Sequence, residues 1–150
     1  MDATLKKFRA IPWAYAPGDA AARAELKRRL ARVGRDEQLV TYSDLVAGVT
    51  FRLPNVQGGE PFRLGVPDWT DLHRAIIGDF LGYLSMESWE QGEFLASALA
   101  VSKTTTEPSE GFRALLKEVD LLPAGGKIEP ILFWSEQVRK AHNWFRNHEW

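Results

Sequence analysis

Phe94-Leu-Ala-Ser-Ala-Leu-Ala-Val101 is the stretch that decides the fold. At a period of two, Leu95, Ser97, Leu99 and Val101 share one face, and Phe94, Ala96, Ala98 and Ala100 share the other. The alternation predicts a β-strand with a helix lying close on its alanine side. Lys103-Thr-Thr-Thr-Glu107-Pro108 follows as a polar turn. Ser97 lacks the Gly-x-Ser-x-Gly context of a nucleophile elbow, so it reads as a packing residue or a backbone-bonded hydroxyl.

Helical patterns flank this stretch on both sides. After it, Gly111 opens a helix from about Phe112 to Leu122, apolar at Phe112, Leu115, Leu116 and Val119 and stopped by Pro123, Gly125 and Gly126. The last helix runs from Pro130, at the first helical position, to Asn147, with Ile131, Trp134, Val138, Ala141 and Phe145 on one side. Its tryptophans predict a tail that docks. Before the strand, Asp68 or Thr70 caps a central helix over 70–86 whose stripe is Leu72, Ile76, Phe80 and Tyr83/Leu84, with Gly92 as the stop.

Further upstream, residues 49–68 hold Phe51-Arg-Leu53 and Phe62-Arg-Leu64 between Pro54, Gly58, Gly59 and Pro61, a hairpin or a loop insertion. Leu39 to Tyr42 is extended, and Ser43 caps a short helix ended by Gly48. Asp19 caps a helix over Ala20–Val33, with Gly34 as its C′ residue. Residues 1–18 read as an irregular arm whose Trp13 and Tyr15 pack onto the body. The fold class expected is α+β: a mostly helical single domain over 19–150, with a small sheet and the 1–18 arm.

Composition narrows the chemistry. The chain has no cysteine, which excludes disulfides, thiolate metal sites and cysteine nucleophiles. His142 and His148 are six apart, so one helix face cannot present both to a metal, and no metal or cofactor is expected. Glu87, Glu90 and Glu93 would lie near one another on a helix, but no nucleophile or cation accompanies them and they read as a solvated face. His73 has no nameable partner, and Gly58-Gly59 and Gly125-Gly126 lack phosphate-loop context. No catalytic residue is assigned. No run is long enough to span a membrane and the start does not read as a signal peptide, so a cytoplasmic protein with no membrane partner is expected.

Charge is unevenly placed. Residues 1–35 carry nine Lys/Arg against three Asp/Glu, and the rest carries ten against seventeen. Arg23, Lys27, Arg28, Arg29, Arg32 and Arg35 make one basic helix, joined by Lys6, Lys7, Arg9, Trp13 and Tyr15 of the arm. Cations mixed with aromatics suit a nucleic-acid surface. They equally suit a partner protein, or an arm clamping onto the acidic body of its own or another copy.

Val40-Thr41-Tyr42-Ser43-Asp44-Leu45, Leu81-Gly82, Gly92, Ser97-Ala-Leu-Ala-Val-Ser-Lys103, Pro108 and Gly111-Phe112 together resemble a group of small uncharacterised bacterial proteins. The first of these also resembles the helix-turn-helix segment of the winged-helix domain in alkyltransferase-like DNA-binding proteins. The resemblance covers a little over half of the chain. It implies a winged-helix-like core, with the 70–86 helix as recognition helix, Arg74 as its strong cation, and Phe94–Glu110 as part of the wing. It departs from the pattern in lacking the Pro-Cys-His-Arg centre, which excludes alkyl transfer, and in the long 49–68 spacer. Asp68, Asp71 and Asp79 also set the recognition helix against phosphate. The expectation is a non-enzymatic binding domain of winged-helix-like type, nucleic acid being the favoured ligand. The alternative is a protein-interaction or homodimerisation module.

Overall fold

The computed structural model describes residues 2–122 and 130–150. In it Phe94–Val101 is buried at every position, and the two faces expected of a strand do not exist. Ala96–Leu99 is a 3-10 turn, and only Ala100–Val101 is a strand, β2. β2 pairs in parallel with β1, Val40–Thr41, in the register Val40 to Ala100 and Thr41 to Val101. The expected eight-residue strand is therefore corrected to a buried turn with a two-residue strand. The reason is burial on all sides: alternation of large and small residues carries no direction when nothing in the segment meets water.

A turn buried this deeply needs partners for its backbone. Side chains supply them. Ser88 Oγ donates to the Phe94 carbonyl (2.7 Å) and accepts from Ala96 N–H (3.0 Å). Ser85 Oγ accepts from Ser97 N–H (3.0 Å) and donates to Ser97 Oγ (2.7 Å). Gln137 Oε1 accepts from Leu95 N–H, and Trp134 Nε1 donates to the Ala98 carbonyl. Ser97 is thus a buried packing residue whose hydroxyl meets the Ser85 hydroxyl and whose N–H, not its side chain, makes the backbone bond.

Helices surround this turn. The first, α1 (Ala3–Ala10), lies inside the segment expected to be irregular. Asp2 caps it by accepting from Leu5 N–H, and Leu5 and Phe8 are its buried side. Two apolar residues make too short a stripe to read from sequence; α1 forms by packing on the central helix. The second, α2 (Ala20–Arg35), has Asp19 as N-cap and buries Leu26 and Leu30. It runs through Gly34, which is not C′ but a packing glycine: a Cβ there would stand 2.9 Å from Phe145 Cγ. Thr41, not Ser43, caps α3 (Tyr42–Val46).

The central helix α4 (Asp71–Gly92) is capped by Thr70 and ends on Glu93 in the left-handed region. Ile76, Phe80 and Leu84 are buried, but Leu72 is 42% exposed and leaves the expected stripe. Between α3 and α4, Phe51 and Phe62 form one antiparallel bridge, so 49–68 is a loose hairpin with Leu53, Val56 and Leu64 in the core. α5 (Glu110–Glu118) buries Phe112 and Leu116. α6 (Pro130–Asn147) matches its expected bounds and buries Ala141 and Phe145, although Ile131 is exposed. The glycines and proline expected to stop α5, Pro123, Gly125 and Gly126, lie outside the described residues. The architecture is α+β and mostly helical, with one small parallel sheet. No helix among the described residues is long and apolar enough to cross a membrane.

Candidate functional site

The basic helix is largely turned to structural use. Arg23 donates to the Ala16 carbonyl (2.6 Å) and lies over the Tyr83 ring. Lys27 pairs with Glu87 (2.8 Å) and stands over the Trp150 ring. Arg29 donates to the Leu45 and Ala47 carbonyls (2.9 and 2.8 Å), closing the end of α3. Arg28 pairs with Glu25; its hydrogen bond is the main cause that holds the Glu25 carboxyl below the usual range and pushes the guanidinium up. Arg32 and Arg35 are exposed and have no ion-pair partner among the described residues.

Other charges of the sequence reading also meet within the chain. Lys7 pairs with Asp120 and Arg9 with Glu90, so the N-terminal cations clamp onto the acidic body of the same molecule. Asp79 accepts three backbone N–H groups, from Ala14, Tyr15 and Ala16, and fastens the segment after α1 to α4. His73 accepts from Gly65 N–H at Nδ1, and His148 stacks on Trp144. These two imidazoles are structural. No group of three His, Asp or Glu side chains suited to a metal ion occurs among the described residues.

Arg74 stands apart from the other six cations. It is on α4, pairs with Asp71 (3.2 Å) on the surface, and lines a cavity of about 490 Å³ between α3, α4 and α5. No residue of α2 reaches that cavity. Its lining includes the apolar side chains of Ile77, Leu81, Phe112 and Leu115 and the charged ones of Arg74, Lys103 and Glu110. The volume lies within the range of small-molecule sites, and the mixture of an apolar wall with a few polar groups is their usual composition.

Two hydrogen-bonded pairs hold the rim. Trp69 Nε1 donates to Ser43 Oγ (3.2 Å), joining the loop before α4 to α3. The Tyr42 hydroxyl accepts from Ser109 N–H (2.9 Å) and donates to Ser109 Oγ (3.3 Å), joining α3 to the start of α5. Ser109 is the N-cap of α5, yet its side chain makes no capping bond. The first turn of α5 therefore presents backbone N–H groups and the positive end of its dipole beside the cavity, without the usual side-chain acceptor. No binding role is legible in the sequence for Lys103, Tyr42, Ser109 or Gly78, because the lining residues, from 42 to 115, meet only through tertiary packing. Comparison with known proteins finds no matching family model, no matching curated protein and no matching solved structure.

Proposed function

We propose that this chain is a binding domain that carries out no chemistry of its own, and that its ligand enters the cavity between α3, α4 and α5 by an anionic group. One observation carries the proposal: Arg74 and Lys103 line the same cavity as a helix start whose N-cap serine is engaged elsewhere. Among the described residues Glu110 is the single acid of the lining, against two cations. It sits in the first turn of α5, where a carboxylate is itself stabilised by the dipole. The apolar residues of the lining take the body of the ligand.

The test is an amide-resolved NMR titration with benzoate, phenyl phosphate and benzylamine. The two anions are expected to shift the amides of Gly78, Lys103 and Gly111, and the amine to leave them in place. Charge reversal of Arg74 and Lys103 to glutamate abolishes the anion shifts. Equal shifts from benzylamine, or anion binding that survives the reversal, would reject the proposal.

A nucleic-acid ligand is the second reading, favoured by the exposure of Arg32 and Arg35 at the end of α2 and by the winged-helix-like resemblance. Arg32→Glu with Arg35→Glu is its clean test, because Arg29 is tied to α3 and its reversal would disturb the fold. Affinity for a labelled 20-base duplex at low salt should fall. The slope of log affinity against log salt should flatten by about 2, from about 0.9 per lost phosphate contact. A duplex that does not bind the unaltered chain at low salt rules this reading out.

A further inference from the structure

Four glycines lie within helices α2 and α4, and three are explained by a ring packed on them. Gly34 meets Phe145, Gly92 meets Trp144, and a Cβ on Gly82 would stand 2.7 Å from Trp13 Cζ3. Gly78 is the exception. It lies in the interior of α4, its φ is not in the left-handed region, and a Cβ there would meet nothing within 4 Å. A glycine in a helix interior is less favourable than alanine, because it gives up more backbone freedom on folding. Neither backbone conformation nor packing among the described residues offsets that. Gly78 lines the cavity, one helical turn from Gly82 and on the same side of α4.

We infer that Gly78 keeps the α4 backbone bare for the ligand, and that the ligand presents there the face of a planar aromatic ring attached to its anionic group. The inference rests on the cavity being the binding site. Trp13 shows the geometry one turn away: with only a hydrogen on Gly82, an indole ring settles directly against the helix. Gly78 repeats the bare surface, and no ring among the described residues covers it. A methyl group on residue 78 would hold a flat ring off the helix, whereas a puckered ring of the same size gains little from a flat approach. Arg74, one turn before Gly78 on α4, lies within reach of an anionic substituent on such a ring. Gly78 is thus a specificity-determining position, selecting planar aromatic anions over saturated ones.

The experiment uses 2-naphthoate and decahydronaphthalene-2-carboxylate as probes, with the unaltered chain and Gly78→Ala. Gly78→Ala should raise Tm by about 2–4 °C, from the propensity difference over a domain of this size. It should nonetheless weaken 2-naphthoate roughly tenfold, the effect of a single well-placed steric conflict, and leave the saturated acid unchanged. Equal binding of 2-naphthoate to both proteins overturns the role of Gly78 while leaving the cavity proposal standing. Equal binding of both acids to the unaltered chain overturns the planar-ring selection alone. Failure of both acids to shift the cavity amides overturns the cavity proposal and this inference with it. A fall in Tm would show that Gly78 is required by the fold and reject the inference on that ground.

Discussion

Ser88→Ala should destabilise this protein more than its size suggests. The side chain is fully buried, and it satisfies two backbone groups of the central turn, the Phe94 carbonyl at 2.7 Å and the Ala96 N–H at 3.0 Å. Phe94 and Ala96 are themselves fully buried, so water does not replace the lost hydroxyl without opening the core. Leaving one buried donor or acceptor unsatisfied costs about 1–3 kcal/mol. Two such groups cost about 2–6 kcal/mol, and subtracting the desolvation of the hydroxyl that is removed leaves about 1–5 kcal/mol. At about 2–4 °C per kcal/mol for a chain of this length, Tm should drop by roughly 2–20 °C. Urea unfolding followed by tryptophan fluorescence measures it, with the midpoint falling and the slope m unchanged. Ser43→Ala, which removes an exposed acceptor from Trp69, is the control and should lose less than about 1 kcal/mol. A Ser88→Ala loss as small as the control's would mean that the turn does not depend on side-chain partners.

Three further outcomes follow from single contacts. Gly34→Ala replaces a helix-interior glycine and would ordinarily stabilise, but the new methyl meets the buried Phe145 ring; thermal unfolding should show a loss of about 1–3 kcal/mol, and a gain would contradict the packing described. Asp79→Ala releases the amides of Ala14, Tyr15 and Ala16, so their hydrogen exchange should accelerate at least tenfold while that of Leu30 and Phe80 changes little; uniform acceleration would mean that the clamp is not local. The Glu37 carboxyl is held below its usual pKa, chiefly by its hydrogen bond to Arg146. Its stabilising share is therefore present above the ordinary carboxylate pKa and is lost as pH falls through the lowered one. Glu37→Gln should lose less stability than the unaltered chain between about pH 6 and pH 3, and parallel acid curves would show that the pair adds nothing.

The helices were legible where the sequence carries their ends. Asp19 and Thr70 are the N-caps of α2 and α4, and Pro130 starts α6, because capping is a local matter of one side chain and the next three amides. The central turn was not legible. Its apolar alternation is that of a strand, while the groups that make it a turn, Ser85, Ser88 and Gln137, lie up to 42 residues away in sequence. The engagement of the basic helix was hidden for a related reason: charge is read from composition, but the acceptors of Arg23 and Arg29 are backbone carbonyls, which no composition reveals. Gly78 is set apart only by tertiary structure: the spaces over Gly34, Gly82 and Gly92 are filled by rings, and the space over Gly78 is not filled by any described residue.

The docking of α6 on α2 has a consequence for synthesis. Phe145 belongs to the same core as Leu26 and Leu30, and the ion pair that ties the two helices together, Glu37 with Arg146, joins residues 109 apart. At about 5–20 residues per second, roughly 5–22 s separate the appearance of one partner from the other. Throughout that interval the leucine face of α2 has no α6 to cover it. Completion of the core is thus timed by elongation rather than by diffusion of the chain, and a ribosome paused before residue 145 holds a nascent chain in which α2 can meet α3, α4 and the central turn but not yet α6.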